Sequence, residues 1–580
     1  MGAGVSVSRT DDRGWSAPAR EREDEVEALV RSLGCPPAFA RLLLARGLSD
    51  VAGIRSFLAP RLQDLHDPFL MPEMHTAVQR IEEAVDRGEK ILVHGDYDAD
   101  GMSASALLTL GLRRLEADVE TFVPHRTRDG YDLSEAGLER AGRIGAGLIV
   151  TADCGVTAVE AVARARRQGR DVIVTDHHRA GGRLPSAVAV VNPMRPDSEY
   201  PFRQLAGVGV AFKLIQALFS RSGIPDQEAN QHLDLVAIGT IADQMPLLGE
   251  NRIMVKAGLK ALQLSRKPGL RALLSRVGVT GADPIGASQI AFRVGPRLNS
   301  VGRMGSADSG LRLLITEDAH EAERLAGFLD RRNSERRQTD QRVYAEVEAL
   351  VAESFDPDLD RAVVVWGNEW HPGVIGIVAS RIADATRRPA IVVSFDGDIG
   401  RGSGRSFGDF QLHAALEELS GDLERFGGHA MAAGLSIRRD RMEKFAAAFR
   451  AIASREIGPE AEPETVAIDA PIALQEVNAE LMNWVKRGGP YGTGHPAPVF
   501  VSRGVRIRDS RAVGVQGAHL RFVLDDGGEL LEGIGFGAGA RRSEAEAGGP
   551  FDVAYRLEVN RWNGRNRIQA QLVDFRPSAI

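Results

Sequence analysis

Cysteine is almost missing from this 580-residue chain: there are two, Cys35 and Cys154. Two thiols so far apart build neither a disulfide framework nor a cysteine-type zinc site. So low a count suits a reducing, cytoplasmic compartment. Long apolar runs are missing too. No stretch reaches the 18 apolar residues expected of a membrane-spanning helix, so no membrane association is expected. The opening MGAGVSVSRTDDRGW lacks the apolar core of a signal peptide. Gly2 and Ser6 match the N-myristoylation pattern, a short match that chance supplies readily. The chain also lacks a positive excess: Lys+Arg is 72 against 79 Asp+Glu, a formal charge of −7. That excludes a uniformly basic nucleic-acid coat and leaves room for a local basic groove. Only 7 of the cations are Lys, so the abundance of Arg is a chain-wide bias and no signature by itself.

What is present is globular. Hydrophobic residues are 43% and charged residues 26%, and the length suggests about three to five domains. Residues 1–70 read as a polar start and short helices. Residues 71–270 alternate short Val/Ile/Leu runs (Ile91–His94, Val119–Val123, Leu148–Ala152, Val172–Thr175, Ala187–Val191) with helical patterns such as Ser103–Leu115 and Val156–Arg167. That alternation predicts a mostly parallel α/β sheet covered on both faces. Residues 271–355 form a connecting region. Within it, Thr316 to about Ser354 is free of Pro and polar at its centre, which predicts a long interdomain helix; a break near Asn333 is the alternative. Residues 356–457 read as a second α/β unit, with strands at Ala362–Trp366 and Ala390–Ser394 and glycine-rich turns at Gly400–Gly408 and Gly427–Gly434. Residues 465–580 carry short strands and many glycines, the pattern of a small β-barrel.

Acidic residues and histidines stand where these strands end. The series runs His94-Gly-Asp96-Tyr-Asp98-Ala-Asp100, Asp153, Thr175-Asp176-His177-His178 and Asp243. In an open parallel sheet, ligands bind at the carboxyl ends of the strands. Carboxylates crowded there repel one another unless cations sit among them. Oxygen donors with a few imidazoles favour Mn2+ or Mg2+, and a pair of such ions would activate water for attack on phosphorus. Taken singly, Asp98 and Asp100 also suit a turn and helix cap, and His177 suits a structural histidine. The four segments together on this topology favour the metal reading.

The segments HGDYDADG, TADCG, TDHH and IAD resemble the four motifs of the DHH phosphoesterase superfamily and, within it, the RecJ family of bacterial single-strand-specific exonucleases. The resemblance runs from about residue 40 to the C-terminus. It is carried further by Gly295-Pro-Arg-Leu-Asn-Ser-Val-Gly-Arg-Met304, Glu369-Trp-His-Pro-Gly-Val-Ile-Gly-Ile-Val-Ala-Ser380, Gly400-Arg-Gly-Ser-Gly-Arg-Ser406 and Gly427-Gly-His-Ala-Met-Ala-Ala-Gly434. It implies a parallel-sheet DHH domain and a DHHA1-like domain joined by the long helix, then a C-terminal OB-fold barrel. It implies one metal on His94, Asp98 and Asp153, and a second on Asp100, Asp153, His177 and Asp243, with Asp153 bridging. His178 is similar to the histidine that contacts substrate phosphate. Asp176 could instead orient a histidine, and Asp96 is a less certain ligand. In the second unit Ser403, Arg405, Gly428 and His429 would meet the 5′-phosphate, and bare glycine backbone there could approach an anion. Arg297, Asn299 and Arg303 resemble strand-backbone contacts, while His371 and His429 each suit either the cleft or a structural role.

Residues 491–580 hold 12 Arg against 10 Asp+Glu, an excess too small to mark a binding face. Phe522, Tyr555 and Trp562 would stack on bases or fill the barrel; core is preferred for Phe522. One departure is His495, where the family more often has Asn. The resulting expectation is a two-metal 5′–3′ exonuclease that releases 5′-mononucleotides from single-stranded DNA in repair and recombination. A helicase and a single-strand-binding protein are the expected partners. The rivals are a DHH-family oligoribonuclease or nucleotide phosphodiesterase, and an inactive replication scaffold, which should have lost metal ligands.

Overall fold

The computed structural model describes residues 14–16, 23–126, 128–279, 284–458, 465–562 and 565–578. Gly2 and Ser6 lie outside them. The chain divides into two compact units, one holding His66–Met245 and Gly258–Glu462, the other Arg9–Leu65, Pro246–Ala257 and Pro463–Ile580.

In the first unit five strands form one all-parallel sheet: β1 (Ile91–Gly95), β2 (Val119–Phe122), β3 (Leu148–Ala152), β4 (Asp171–Thr175) and β5 (Ala189–Val191). Their order is β2-β1-β3-β4-β5. The direction of winding therefore reverses between β1 and β3, and a crevice opens there at the carboxyl ends. Helix α1 (Ala99–Arg114) begins four residues before the expected Ser103, because Asp98 caps it. Helices α2 (Gly207–Arg221) and α3 (Leu233–Ala242) follow, both almost wholly buried.

After α4 (Gly295–Met304), helix α5 (Ala319–Ser354) runs unbroken for 36 residues, capped by Asp318. It is about 54 Å long at 1.5 Å per residue. Its centre is polar as expected, but its ends are not. Ala322, Leu325 and Leu329 are buried near its start, and Val343, Val347 and Val351 join the core of the second sheet. The helix thus bridges two cores by an apolar anchor at each end. Asn333 is buried, with Arg336 donating to its side-chain oxygen, and causes no break.

The second sheet comprises β6 (Val363–Asn368), β7 (Ala390–Asp396), β8 (Ile399–Arg405), β9 (Arg425–Gly428) and β10 (Ala432–Arg438), in the order β9-β10-β8-β7-β6. Only β6 and β7 are parallel. The expected glycine turn at Gly400–Gly408 is mostly strand β8. Gly400, Gly402 and Gly404 face inward, where a β-carbon would press on Phe395, Leu435 and Leu412 respectively. Strand alternation then turns Ser403 and Arg405 to the opposite face, beside α6 (Pro372–Thr386).

The second unit contains a five-stranded barrel. Its strands are β11 (Phe500–Val513), β12 (His519–Asp525), β13 (Leu530–Gly535), β14 (Phe551–Trp562) and β15 (Arg565–Pro577), closed by the β11–β14 pairing. The N-terminal helices Glu23–Leu33, Pro37–Ala45 and Val51–Leu58 share one apolar core with it. Among the described residues no single helix is long and apolar enough to cross a membrane.

Candidate metal centre

β1 delivers Asp96 and Asp98 at its carboxyl end, and the Asp98 side chain accepts the N–H groups of Asp100 and Gly101 at 2.9 and 3.0 Å. Asp100 lies in the first turn of α1 and accepts from Gly207 N (2.7 Å) and Val208 N (3.0 Å) at the start of α2. These approaches need glycine. A β-carbon on Gly207 would lie 2.4 Å from Asp153 Oδ1, and one on Gly239 would lie 2.4 Å from Asp100 Oδ1. Asp153 follows β3 in the left-handed region, φ 65°. Asp243 ends α3.

Three groups of potential ligand atoms result, each with its atoms within 4.8 Å of one another: Asp96, Asp98 and Asp153; Asp100, His177 and Asp243; Asp153, His177 and His178. His177 Nε2 is 3.1 Å from Asp153 Oδ1 and 3.7 Å from Asp243 Oδ2. Yet Asp96 Oδ1, Asp153 Oδ1 and His177 Nε2 are buried without a hydrogen-bond partner. Buried polar atoms without partners are costly, and this set aims hard oxygen donors and one imidazole at shared points, a fit to divalent cations. Burial, and then the charges of Asp100, Asp98 and Asp243, drive the Asp153 carboxyl well above its usual range. Burial and Asp98 raise Asp100 to about 7. Burial and the neighbouring His178 hold His177 down at about 4, so it is a neutral, available ligand.

Three family models match the chain: the DHH family N-terminal domain over residues 90–240, the DHHA1 domain over 359–455 and the RecJ OB domain over 468–574. The single-stranded-DNA-specific exonuclease RecJ of Bacillus subtilis is 35% identical over 560 residues, which cover 96% of this chain and 70% of that protein. RecJ of Salmonella typhimurium is 36% identical over 582 residues, covering 96% and 98%. The crystal structure of RecJ from Thermus thermophilus in complex with Mn2+ superposes with a TM-score of 0.84 at 33% identity, over 98% of this chain and 80% of that one. The chain belongs to the RecJ family.

Several expected site residues of this RecJ-family chain come together and others do not. His94 joins none of the three groups. It sits on the sheet face of Leu92, which packs on Leu138 and Ala141. Its Nε2 is 3.4 Å from Ser134 Oγ, and its Nδ1 is 3.8 Å from Cys154 Sγ. Asp96 is the residue grouped with Asp98 and Asp153. Cys154 is buried with its thiol pushed up by burial, a packing residue. Asp176 holds His178 Nδ1 at 2.7 Å. Burial alone would depress His178, but that bond and charge raise it to about 9. His178 also stacks on His429 across 6.3 Å, which brings the hairpin after Gly428 to the site.

Arg297 donates to Asp330 on α5 (2.9 Å). The side-chain oxygen of Asn299 accepts from Ala99 N (2.7 Å), locking α4 onto the start of α1. Arg303 is lowered to about 10 by burial and by the charges of Arg126, Arg405 and Arg336. These four arginines form a convergent cationic cluster, and Ser403 Oγ accepts from Arg405 Nη1 at 3.1 Å. Arg126 and Arg336 escaped the sequence reading, although Arg126, like Tyr131 beside His178, follows the end of β2. The chain-wide Arg bias hid the first, and the second stands among other Arg residues on α5. His371 Nδ1 caps α6 through Gly373 N.

In the barrel Phe522 and Tyr555 are buried, at 1% and 0% exposure, so neither is available to stack on bases. The side chain of Trp562 lies outside the described residues. Among the described barrel residues the exposed large aromatic is Phe536, packed edge-on against His519 at 5.3 Å. His495 is buried against Tyr491 and Gly488 O, a structural role.

Proposed function

We propose that this chain is a 5′–3′ exonuclease that hydrolyses single-stranded DNA to 5′-mononucleotides with two divalent cations, Mn2+ or Mg2+, in DNA repair and recombination. The observation that carries this reading is the convergence of unpartnered carboxylate and imidazole atoms at the β1–β3 crevice. Asp96, Asp98 and Asp153 would hold one cation, and Asp100, His177 and Asp243 the other, with Asp153 between them. When bound, the pair supplies the positive charge that draws in the scissile phosphate and acidifies an attacking water.

The protein's own groups do the rest. His178, held protonated by Asp176, presents a cation to a phosphate oxygen as charge builds there. Arg303 and Arg405, with Arg126 and Arg336 beside them, form a guanidinium-lined seat for a terminal 5′-phosphate, where paired N–H donors match the anion's geometry. The barrel offers Phe536 with Arg511 and Arg521 to a flexible strand. A helicase that unwinds the duplex and a single-strand-binding protein are the partners such an enzyme needs, and the cytoplasm is its compartment.

Degradation of end-labelled single- and double-stranded DNA with Mn2+ and with chelator tests the reading. Metal-dependent loss of the single strand from its 5′ end is expected. Preference for dinucleotides over long strands would instead favour the oligonucleotide phosphodiesterase, and no cleavage would favour the scaffold.

A further inference from the structure

We propose that Phe292 is a stacking platform for a base of the DNA strand on the 3′ side of the reacting phosphate; this rests on the exonuclease reading above. Phe292 lies in a π-helical turn, Ile290–Val294, that runs directly into α4. Ile290, Val294, Leu298 and Val301 are at most 1% exposed and fill the core on one face of this continuous helix. Phe292, Pro296, Asn299 and Arg303 follow one another at spacings of four, three and four, which places them on another face.

That face is the one that meets the site. Asn299 receives Ala99 N, and a β-carbon on Gly302 would strike Tyr97 O at 2.4 Å. Gly295 abuts Ala242, the residue before Asp243. Arg303 stands in the arginine cluster. Phe292 is therefore seven residues, about 10 Å along the axis, up the helix from Asn299. It lies at the opposite end from the guanidiniums assigned to the 5′-phosphate. A strand seated with its 5′ end on that cluster extends its 3′ portion toward Phe292.

The ring is 80% exposed, an apolar surface left uncovered where burial would stabilise the fold. A π turn adds a residue to the helix and recurs at functional sites. Arg293 is exposed beside it, anchored through Val277 O. An aromatic face with an adjacent cation is the pairing that holds single strands, because every base has a π-face and every nucleotide a phosphate.

The test uses the full-length protein with Mn2+ and two 5′-phosphorylated substrates, a thymidine dinucleotide and an oligothymidylate on the order of 20 nucleotides, longer than one binding module spans. Phe292→Ala and Phe292→Leu should each raise KM for the long strand about 10-fold, the scale of one lost base stack. Both should leave its kcat, the dinucleotide kinetics and the Mn2+-induced rise in Tm unchanged, and Phe292→Trp should restore KM. Parental KM on the long strand in both variants overturns the proposal. So does an equal loss on the dinucleotide, which would place the effect in the fold of the centre. If the parent enzyme itself spares the long strand, the exonuclease reading fails first.

Discussion

Asp153→Asn should stabilise the metal-free protein while abolishing its activity, and the gain should grow with pH. Asp153 is 2% exposed and shares a group with Asp96 and Asp98, with ligand atoms within 4.8 Å. At that separation two full charges repel by about 3–4 kcal/mol in an effective dielectric of about 20. The protein can escape this repulsion by keeping a proton on Asp153. An unfolded Asp ionises near 3.9, so holding that proton costs about 1.4 kcal/mol per pH unit above it, about 5 at pH 7.5 and about 1.5 at pH 5. The lesser of the two costs applies.

The sign follows from the raised folded pKa. At this group the folded state binds more protons than the unfolded state, so its contribution to metal-free stability is greatest below about pH 4 and falls as pH rises. An amide at position 153 removes the penalty. The expected gain in chelator is about 3–4 kcal/mol at pH 7.5 and about 1.5 at pH 5, at about 2–4 °C per kcal/mol for a domain of ordinary size. Calorimetry of the first unfolding transition measures it. Mn2+ should reverse the ranking, since two sites each at 100 times their Kd together add about 5.4 kcal/mol to the parent and much less to the variant. A variant no more stable than its parent in chelator at pH 7.5, or equally stabilised by Mn2+, would refute the reasoning.

Arg405→Ala should weaken the preference for 5′-phosphate over 5′-hydroxyl strands about 10- to 100-fold, the worth of a charged hydrogen bond; unchanged discrimination in competition assays would remove Arg405 from that seat. Asp176→Asn should remove the largest opposition to burial at His178, which falls from about 9. The alkaline limb of the pH–kcat/KM profile should then move to lower pH, and an unmoved limb would count against a protonated His178. Arg511 and Arg521 face each other across β11 and β12. Each changed to Ala should lower the salt slope of single-strand binding by about 0.7, and a slope equal to the parent's would clear that barrel face of any part in binding.

Much of the centre was legible along the chain because a parallel strand is short, continuous and apolar, and its end is marked by the first polar residue. The runs Leu148–Ala152 and Val172–Thr175 pointed directly to Asp153 and Asp176, and the four-segment series to a divalent-cation site. Two features were not legible, each for its own reason. A period of two reads as strand only where side chains alternate, and Gly400, Gly402 and Gly404 have none to show, so β8 looked like a turn. The roles of Arg297 and Asn299 turned on partners 33 and 200 residues away.

By itself the sequence pointed to the acidic and histidine series at the strand ends, the parallel sheet that presents it, the long helix and the terminal barrel. All of these follow from local periodicity and from residue types that only one kind of site accommodates. The tertiary structure alone decided that Asp96 rather than His94 meets Asp98 and Asp153. It also decided that Asp176 charges His178, and that four arginines distant in sequence converge. Such choices depend on which strand face a side chain takes and on which backbones approach within a few ångströms, and chain packing sets both.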